Sequence, residues 1–154
     1  CLPEETSVFM TPGTTVEAVM HALAMTSKKL LIVTNSIEVA RIAWQARKFE
    51  TVLTGGILQY RNGAMTGRRA CEVIADYRCD YLISGVGAIE PDGTLYDFHD
   101  DEIAVTQAMR RRARRHLVAA DQSKFHRAAA RRLVREARLL APPPAALPAL
   151  LPIG

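Results

Sequence analysis

Apolar positions along the chain follow two alternating rhythms. Short runs such as "LLIVT" and "YLISGV" are apolar at successive positions, which suits interior strands of a parallel sheet covered on both faces. Such runs predict strands at Ser7–Thr11, Leu30–Thr34, Thr51–Thr54, Tyr81–Val86, His116–Asp121 and Ala137–Ala141. Between them, apolar residues three and four apart predict helices over 15–25, 36–47, 68–77, 100–114 and 125–133. Strand–helix alternation with short connectors defines an α/β fold: a three-layer, mostly parallel sheet with helices on both faces. Two connections are longer. In 55–67, Asn62-Gly63 predicts a small hairpin, and in 87–100, Pro91-Asp92-Gly93 predicts a turn. The proline-rich tail "APPPAALPALLPIG" allows helix only after Pro144, and its apolar character predicts packing on the surface or in an assembly.

Composition adds bounds. With 154 residues, 49% hydrophobic and 23% charged, the chain suits one domain spanning 1–154. No apolar stretch approaches the roughly 20 residues of a membrane-spanning helix, so a cytoplasmic protein with no membrane partner is expected. The chain opens on Cys1 rather than methionine and reads as a fragment. Cys1, Cys71 and Cys79 are odd in number and lack histidines at ligand spacing, so no metal is expected and the cysteines read as small reduced residues. Net charge is +4, with the excess local: six arginines fall between Arg110 and Arg127, and Arg131, Arg132, Arg135 and Arg138 follow. Arg110–Arg115 read as the last turns of a helix, where cations complement the macrodipole. Without interleaved aromatics, a solvated helical face is preferred to a nucleic-acid patch.

Candidate chemistry gathers at the predicted strand ends: "TPGTT", "TNS", "TGG", "SGVGA" and "DQSK". In a doubly wound sheet that edge carries the ligand. Gly13 permits close backbone approach, and the amides of Thr14, Thr15 and Val16 would face outward at a helix start, a ready anion site. Thr14 and Glu17 also have capping-box spacing, so Thr14 could serve only as a cap. Neither a Walker A loop nor a dinucleotide fingerprint is present. Asn35 could bind a sugar hydroxyl or cap the helix starting near Ser36; Gly55, Gly56, Gly85 and Gly87 are close-approach positions or tight turns. The acids Asp97, Asp100, Asp101 and Glu102 either stabilise a helix start or send a carboxylate into the rim. Lys124 is either a solvent lysine or the point charge of a phosphate pocket, and His99 reads as a loop residue.

"TPGTT", "IVTNS", "LTGG", "MTG", "CDYLISGVGAIEPDG" and "AADQSKF" resemble, in order and spacing, the C-terminal sensor domain of DeoR-family transcriptional regulators, from about Ser7 to Val134. "GTTVEAVMHAL", "GTLYDFHDDEI" and the later "APPP" are most similar to the glycerol-3-phosphate regulon repressor branch. The resemblance implies the fold shared with ribose-5-phosphate isomerase and CoA transferases. It also implies a phosphorylated sugar or polyol effector such as glycerol 3-phosphate, and an N-terminal helix-turn-helix, absent from this chain, that binds DNA. A homo-oligomer is expected, and no cofactor or catalytic residue. By position, Gly13, Thr14 and Thr15 match the phosphate-facing turn; Asn35 and Ser36 match the "TN" motif. Gly55 and Gly56 match the double glycine, Gly85 and Gly87 the glycines after the fourth strand, and Glu102 and Lys124 the acidic helix start and "SKF" lysine. Thr11 stands where the family usually has aspartate, and Leu139-Leu140 where it tends to have "TD". The alternative is a sugar-phosphate isomerase-like enzyme with Glu102 as its base.

Overall fold

The computed structural model describes residues 5–92, 94–121, 131–134 and 149–153, the last two segments as backbone only. Five parallel strands form the centre of the main sheet: β1 (Thr6–Met10), β2 (Leu30–Thr34), β3 (Glu50–Leu53), β6 (Cys79–Ser84) and β9 (Ala113–Ala120). Small antiparallel pairs interrupt the alternation: β4 (Ile57–Leu58) with β5 (Met65–Thr66), and β7 (Ala88–Ile89) with β8 (Leu95–Asp97). These are the hairpin at Asn62-Gly63 and the pair around the Pro91-Asp92 turn. Asn62 Oδ1 accepts the Ala64 N–H, and Asp92 Oδ1 accepts that of Thr94, which is why these residues turn the chain.

Among the described residues, four helices cover the sheet: α1 (Thr14–Ala24), α2 (Ile37–Gln45), α3 (Arg68–Ala75) and α4 (Asp100–Arg112). Strand alternation sorts the core. Val8, Met10 and Ile32 point to one face, against Val16 and Met20 of α1 and Val39 and Ile42 of α2. Phe9, Val33 and Leu82 point to the other, against Ile74 of α3 and Val105 and Met109 of α4. All of these are at most 3% exposed, and each contributes roughly 1.5–3 kcal/mol of burial.

The C-terminal third departs from expectation. α4 ends at Arg112, and β9 begins at once with Ala113, so Arg114 and Arg115 are strand rather than helix. Strand pairing with β6, beginning at Cys79↔Ala113, outweighs the helical propensity of arginine. Residues 131–133, predicted helical, lie in β10 (Arg131–Val134), antiparallel to β8, whose free edge supplies backbone partners. The sixth strand of the main sheet is β11 (Ala149–Ile153), antiparallel to β9, in the stretch after Pro144 where the sequence permitted a helix. Its Pro152 is tolerated because β11 is an edge strand. The strand predicted at Ala137–Ala141 lies outside the described residues, as does the first part of the 125–133 helix.

Candidate functional site at the switch between β1 and β6

The sheet order is β11-β9-β6-β1-β2-β3. From β1 the chain winds outward through β2 to β3, then returns to the other side of β1 as β6 and β9. The connections leaving β1 and β6 therefore diverge, opening a crevice at their carboxyl ends. There the Thr11 N–H donates to the Ile83 carbonyl (3.2 Å), and the Gly85 N–H donates to Thr11 Oγ1 (3.0 Å). Thr11, 4% exposed, thus joins the two loops through its hydroxyl. Gly13 and Gly85 face each other: a Cβ on Gly13 would stand 4.0 Å from the Gly85 Cα, and one on Gly85 only 3.2 Å from the Pro12 oxygen. Gly13 has φ +136°, a conformation side chains rarely adopt.

α1 starts directly after Gly13. Its first helical bond runs from the Glu17 N–H to the Gly13 carbonyl (2.9 Å), so the amides of Thr14, Thr15 and Val16 precede the ladder at the positive end of the helix dipole. The capping box does not form. Thr14 is the first helical residue, the N-cap is Gly13, and no side chain caps the helix. Thr14 is exposed and Thr15 half-buried. Burial pushes the Glu17 carboxyl above its ordinary value and Glu38 adds to this, while His21 and Arg41 oppose it.

The other candidates divide by what their side chains already do. Asn35 is 1% exposed; its Nδ2 donates to the Met65 carbonyl (3.0 Å) and its own carbonyl accepts the Met65 N–H (2.7 Å), clamping the β4–β5 hairpin onto the end of β2. Its Oδ1 is buried without a partner among the described residues. Ser36, fully buried, is the N-cap of α2: its Oγ accepts the Val39 N–H at 3.2 Å. Gly55 and Gly56 open the hairpin, with φ +71° and +116°. Gly87 is packed against β8, where a Cβ would meet Phe98 at 2.9 Å. Gly13, Thr14, Thr15 and Gly85 are therefore gathered at the crevice. Asn35, Ser36, Gly56 and Gly87 shape its surroundings. Lys124 lies outside the described residues.

Glu102 does not stand open at the rim. Its Oε2 accepts from Arg61 Nε (3.0 Å) and Nη2 (2.8 Å), its Oε1 accepts from Asn62 Nδ2 (2.6 Å), and Arg61 also bonds Asp101 (2.8 Å). Burial pushes the Asp101 carboxyl up, but the Arg61 guanidinium and the Glu102 amide hold it below its ordinary value. On the other side of the hairpin, the Ile37 N–H donates to the Gly63 carbonyl (3.1 Å). The hairpin thus straps the start of α2 to the start of α4 across the carboxyl edge of the sheet. Arg61 was missed by the sequence reading, although an arginine beside an Asn-Gly turn places a cation at a hairpin tip. Arg61→Ala leaves Glu102, its side chain 11% exposed, without its cation; we expect a loss of about 1–2 kcal/mol by denaturant titration, largely recovered by Lys.

A second missed feature lies beneath the crevice. Ser84, the residue before Gly85, contacts His116 Nε2 through its Oγ at 2.6 Å, and both are buried. Burial, with the Arg110 charge, pushes the His116 pKa down to about 3, so the ring is neutral; its Nδ1 has no partner among the described residues.

A parallel sheet with helices on both faces, whose glycine-bearing strand ends meet at the switch point, defines an α/β domain of the doubly wound class. The chain matches the family described as "DeoR C terminal sensor domain" over residues 1–139, and it belongs to that family. It is 40% identical over 151 residues to the "HTH-type transcriptional repressor CsqR" of Escherichia coli (strain K12), covering 95% of this chain and 58% of that protein. It is 39% identical over 132 residues to the "Glycerol-3-phosphate regulon repressor" of Haemophilus influenzae, covering 86% and 51%. The chain thus spans little more than half the length of these relatives, which are transcriptional repressors rather than enzymes. Among solved structures, ribose 5 phosphate isomerase A from Neisseria gonorrhoeae superposes with TM-score 0.56 at 13% identity, over 80% of this chain and 47% of that one. eIF2B beta from Chaetomium thermophilum gives the same TM-score at 15% identity, over 80% and 38%. At such identities the likeness concerns the fold alone, and it agrees with the fold expected from the sequence.

Proposed function

We propose that this chain is the single effector-binding domain of a longer repressor, and that it takes a phosphorylated sugar or polyol such as glycerol 3-phosphate at the β1–β6 crevice. Binding there favours one arrangement of the domain or its oligomer, and so changes the DNA affinity of an attached helix-turn-helix. The observation that carries the reading is the meeting of Gly13 and Gly85 beside the first-turn amides of α1. Three amide donors and the dipole's positive end suit a dianionic phosphate, while the hydroxyls of Thr14 and Thr15 extend the donor set. The names of the Haemophilus influenzae relative and its counterpart in Escherichia coli support glycerol 3-phosphate as the first ligand to test. Regulation requires unequal affinity for two states, since equal binding shifts nothing.

Glycerol 3-phosphate at millimolar concentration should raise the melting temperature, and unphosphorylated glycerol should not. Thr15→Ala should weaken the dissociation constant about tenfold by calorimetry, and Gly85→Val, whose side chain points at Pro12, should abolish the shift. A ligand response unchanged in both variants would place the effector elsewhere.

A further inference from the structure

A parallel sheet sends every helix-to-strand connection to one edge, the edge opposite the crevice. Strand starts are aligned there, with Thr6 beside Leu30, Leu31 beside Glu50 and Cys79 beside Ala113. Each such connection carries cations. Lys28 and Lys29 precede β2, Arg47 and Lys48 precede β3, and Arg78 precedes β6. Arg110, Arg111 and Arg112 finish α4, and Arg114 and Arg115 open β9. Two contacts bind neighbouring connections together: the Lys48 ammonium donates to the Thr26 carbonyl, and Arg112 Nε to that of Tyr77 (2.8 Å). Half of the twenty lysines and arginines thus lie along one edge, whereas on the other "TPGTT", "TNS", "TGG" and "SGVGA" contain none, Arg61 of the hairpin is held by Asp101 and Glu102, and the lysine of "DQSK" lies outside the described residues.

Internal partners do not absorb this charge. Asp80 is held by the Ser7 N–H and hydroxyl, and its second oxygen lies 3.7 Å from Arg114. Among the described residues, Glu5, Glu50 and Asp76 are the other acids near the edge, and each helix C-terminus adds about half a negative charge. A surplus of several positive charges remains. Most of it sits on exposed side chains, Arg78, Arg110, Arg111 and Arg115 among them. The edge spans five strands at about 4.8 Å spacing, roughly 19 Å. The aromatic residues beside these cations, Phe49 and Tyr77, are half-buried, so phosphates rather than stacked bases fit it.

We propose that this basic edge is a docking surface for duplex DNA, gripping the sugar-phosphate backbone without reading sequence. Taken alone, the arginine run reads as a solvated helical face; the topology adds the lysines and arginines of the other connections and turns it into a stripe. The choice of DNA as the polyanion rests on the repressor reading and not on the effector crevice.

The test is fluorescence anisotropy of a labelled 30-base-pair duplex of arbitrary sequence, titrated with the 154-residue chain across a salt series. Log affinity should fall linearly with log salt, with a slope of about −3 or steeper. Arg111→Glu/Arg115→Glu should weaken binding at least tenfold in low salt and flatten the slope by about two. Arg68→Glu/Arg69→Glu, the same charge change on α3 at the opposite side, should alter binding less than threefold. Equal losses in the two pairs would reduce the effect to net charge and overturn the proposal. So would the absence of low-salt binding by the wild type, or equally tight binding of polyglutamate, the mark of a surface for acidic proteins. The glycerol 3-phosphate melting shift, measured on the same variants, should persist. Its absence from the wild type would count against the crevice while leaving the DNA result to stand or fall by itself.

Discussion

Lowering the pH from 6.5 to 5 should cost the folded chain about 2 kcal/mol through His116 alone. The unfolded imidazole takes up a proton near its ordinary pKa of 6.5, whereas in the folded chain burial delays this until about pH 3. Between those values the unfolded chain binds the extra proton, so acid favours unfolding at about 1.4 kcal/mol per pH unit. The contribution is fully present above pH 6.5 and is lost as the pH falls towards 3, about 5 kcal/mol in all. Glu17, whose carboxyl burial pushes up, takes up a proton more readily in the folded chain and works in the opposite sense, so a variant without the imidazole is needed to isolate His116. Urea titrations at half-unit intervals provide the measurement. Ser84→Ala/His116→Leu removes both members of the buried pair and should flatten the curve between pH 6.5 and 5. A variant as acid-sensitive as the wild type would assign the dependence to other groups.

Gly56→Ala should destabilise the chain by about 2–4 kcal/mol, whereas Gly55→Ala should cost only about 1 kcal/mol. Both glycines have positive φ, so either alanine is strained by its backbone. The difference is space. A Cβ at Gly55 meets nothing within 4 Å, whereas one at Gly56 would lie 2.6 Å from the Thr66 carbonyl oxygen and 3.4 Å from the Ala70 Cβ and amide. The obstacle at Gly56 is backbone belonging to the β4–β5 pair, so relief means displacing the strap that joins α2 to α4. For a chain of this size the loss corresponds to roughly 4–12 °C in melting temperature. Hydrogen exchange at the Gln59 and Met65 amides, bonded to the Ala64 and Asn35 carbonyls, should speed up in Gly56→Ala and not in Gly55→Ala. Equal losses at the two positions would mean that backbone strain, and not the close approach, sets the cost.

The candidate site was legible where function depends on main-chain geometry. A glycine that ends a strand and opens a helix, as Gly13 does, announces free amides in any context. Where a side chain was expected to act, neighbours distant in sequence redirected it. Asn35 was claimed by a hairpin thirty residues on and Glu102 by an arginine forty-one residues before it, whereas Ser36 was claimed locally, by the Val39 amide three residues on. Thr11 shows the reverse: marked in the sequence only as a departure from the family's usual aspartate, its hydroxyl links two loops seventy-four residues apart.

By itself the sequence determined the layered α/β architecture, the five parallel strands and four of the five helices it predicts, the hairpin at Asn62-Gly63, the turn at Pro91-Asp92, and the edge of the sheet at which polar turns collect. These follow from local periodicity and turn chemistry, which each segment carries with it. Tertiary structure alone decided which strands became neighbours. It thereby set the switch point between β1 and β6, the edge pairing of β11, the burial of Ser84 against His116 and the alignment of basic connections along one side. Those features depend on contacts between segments far apart in the chain, and the free energy of such contacts exists only once the sheet has brought them together.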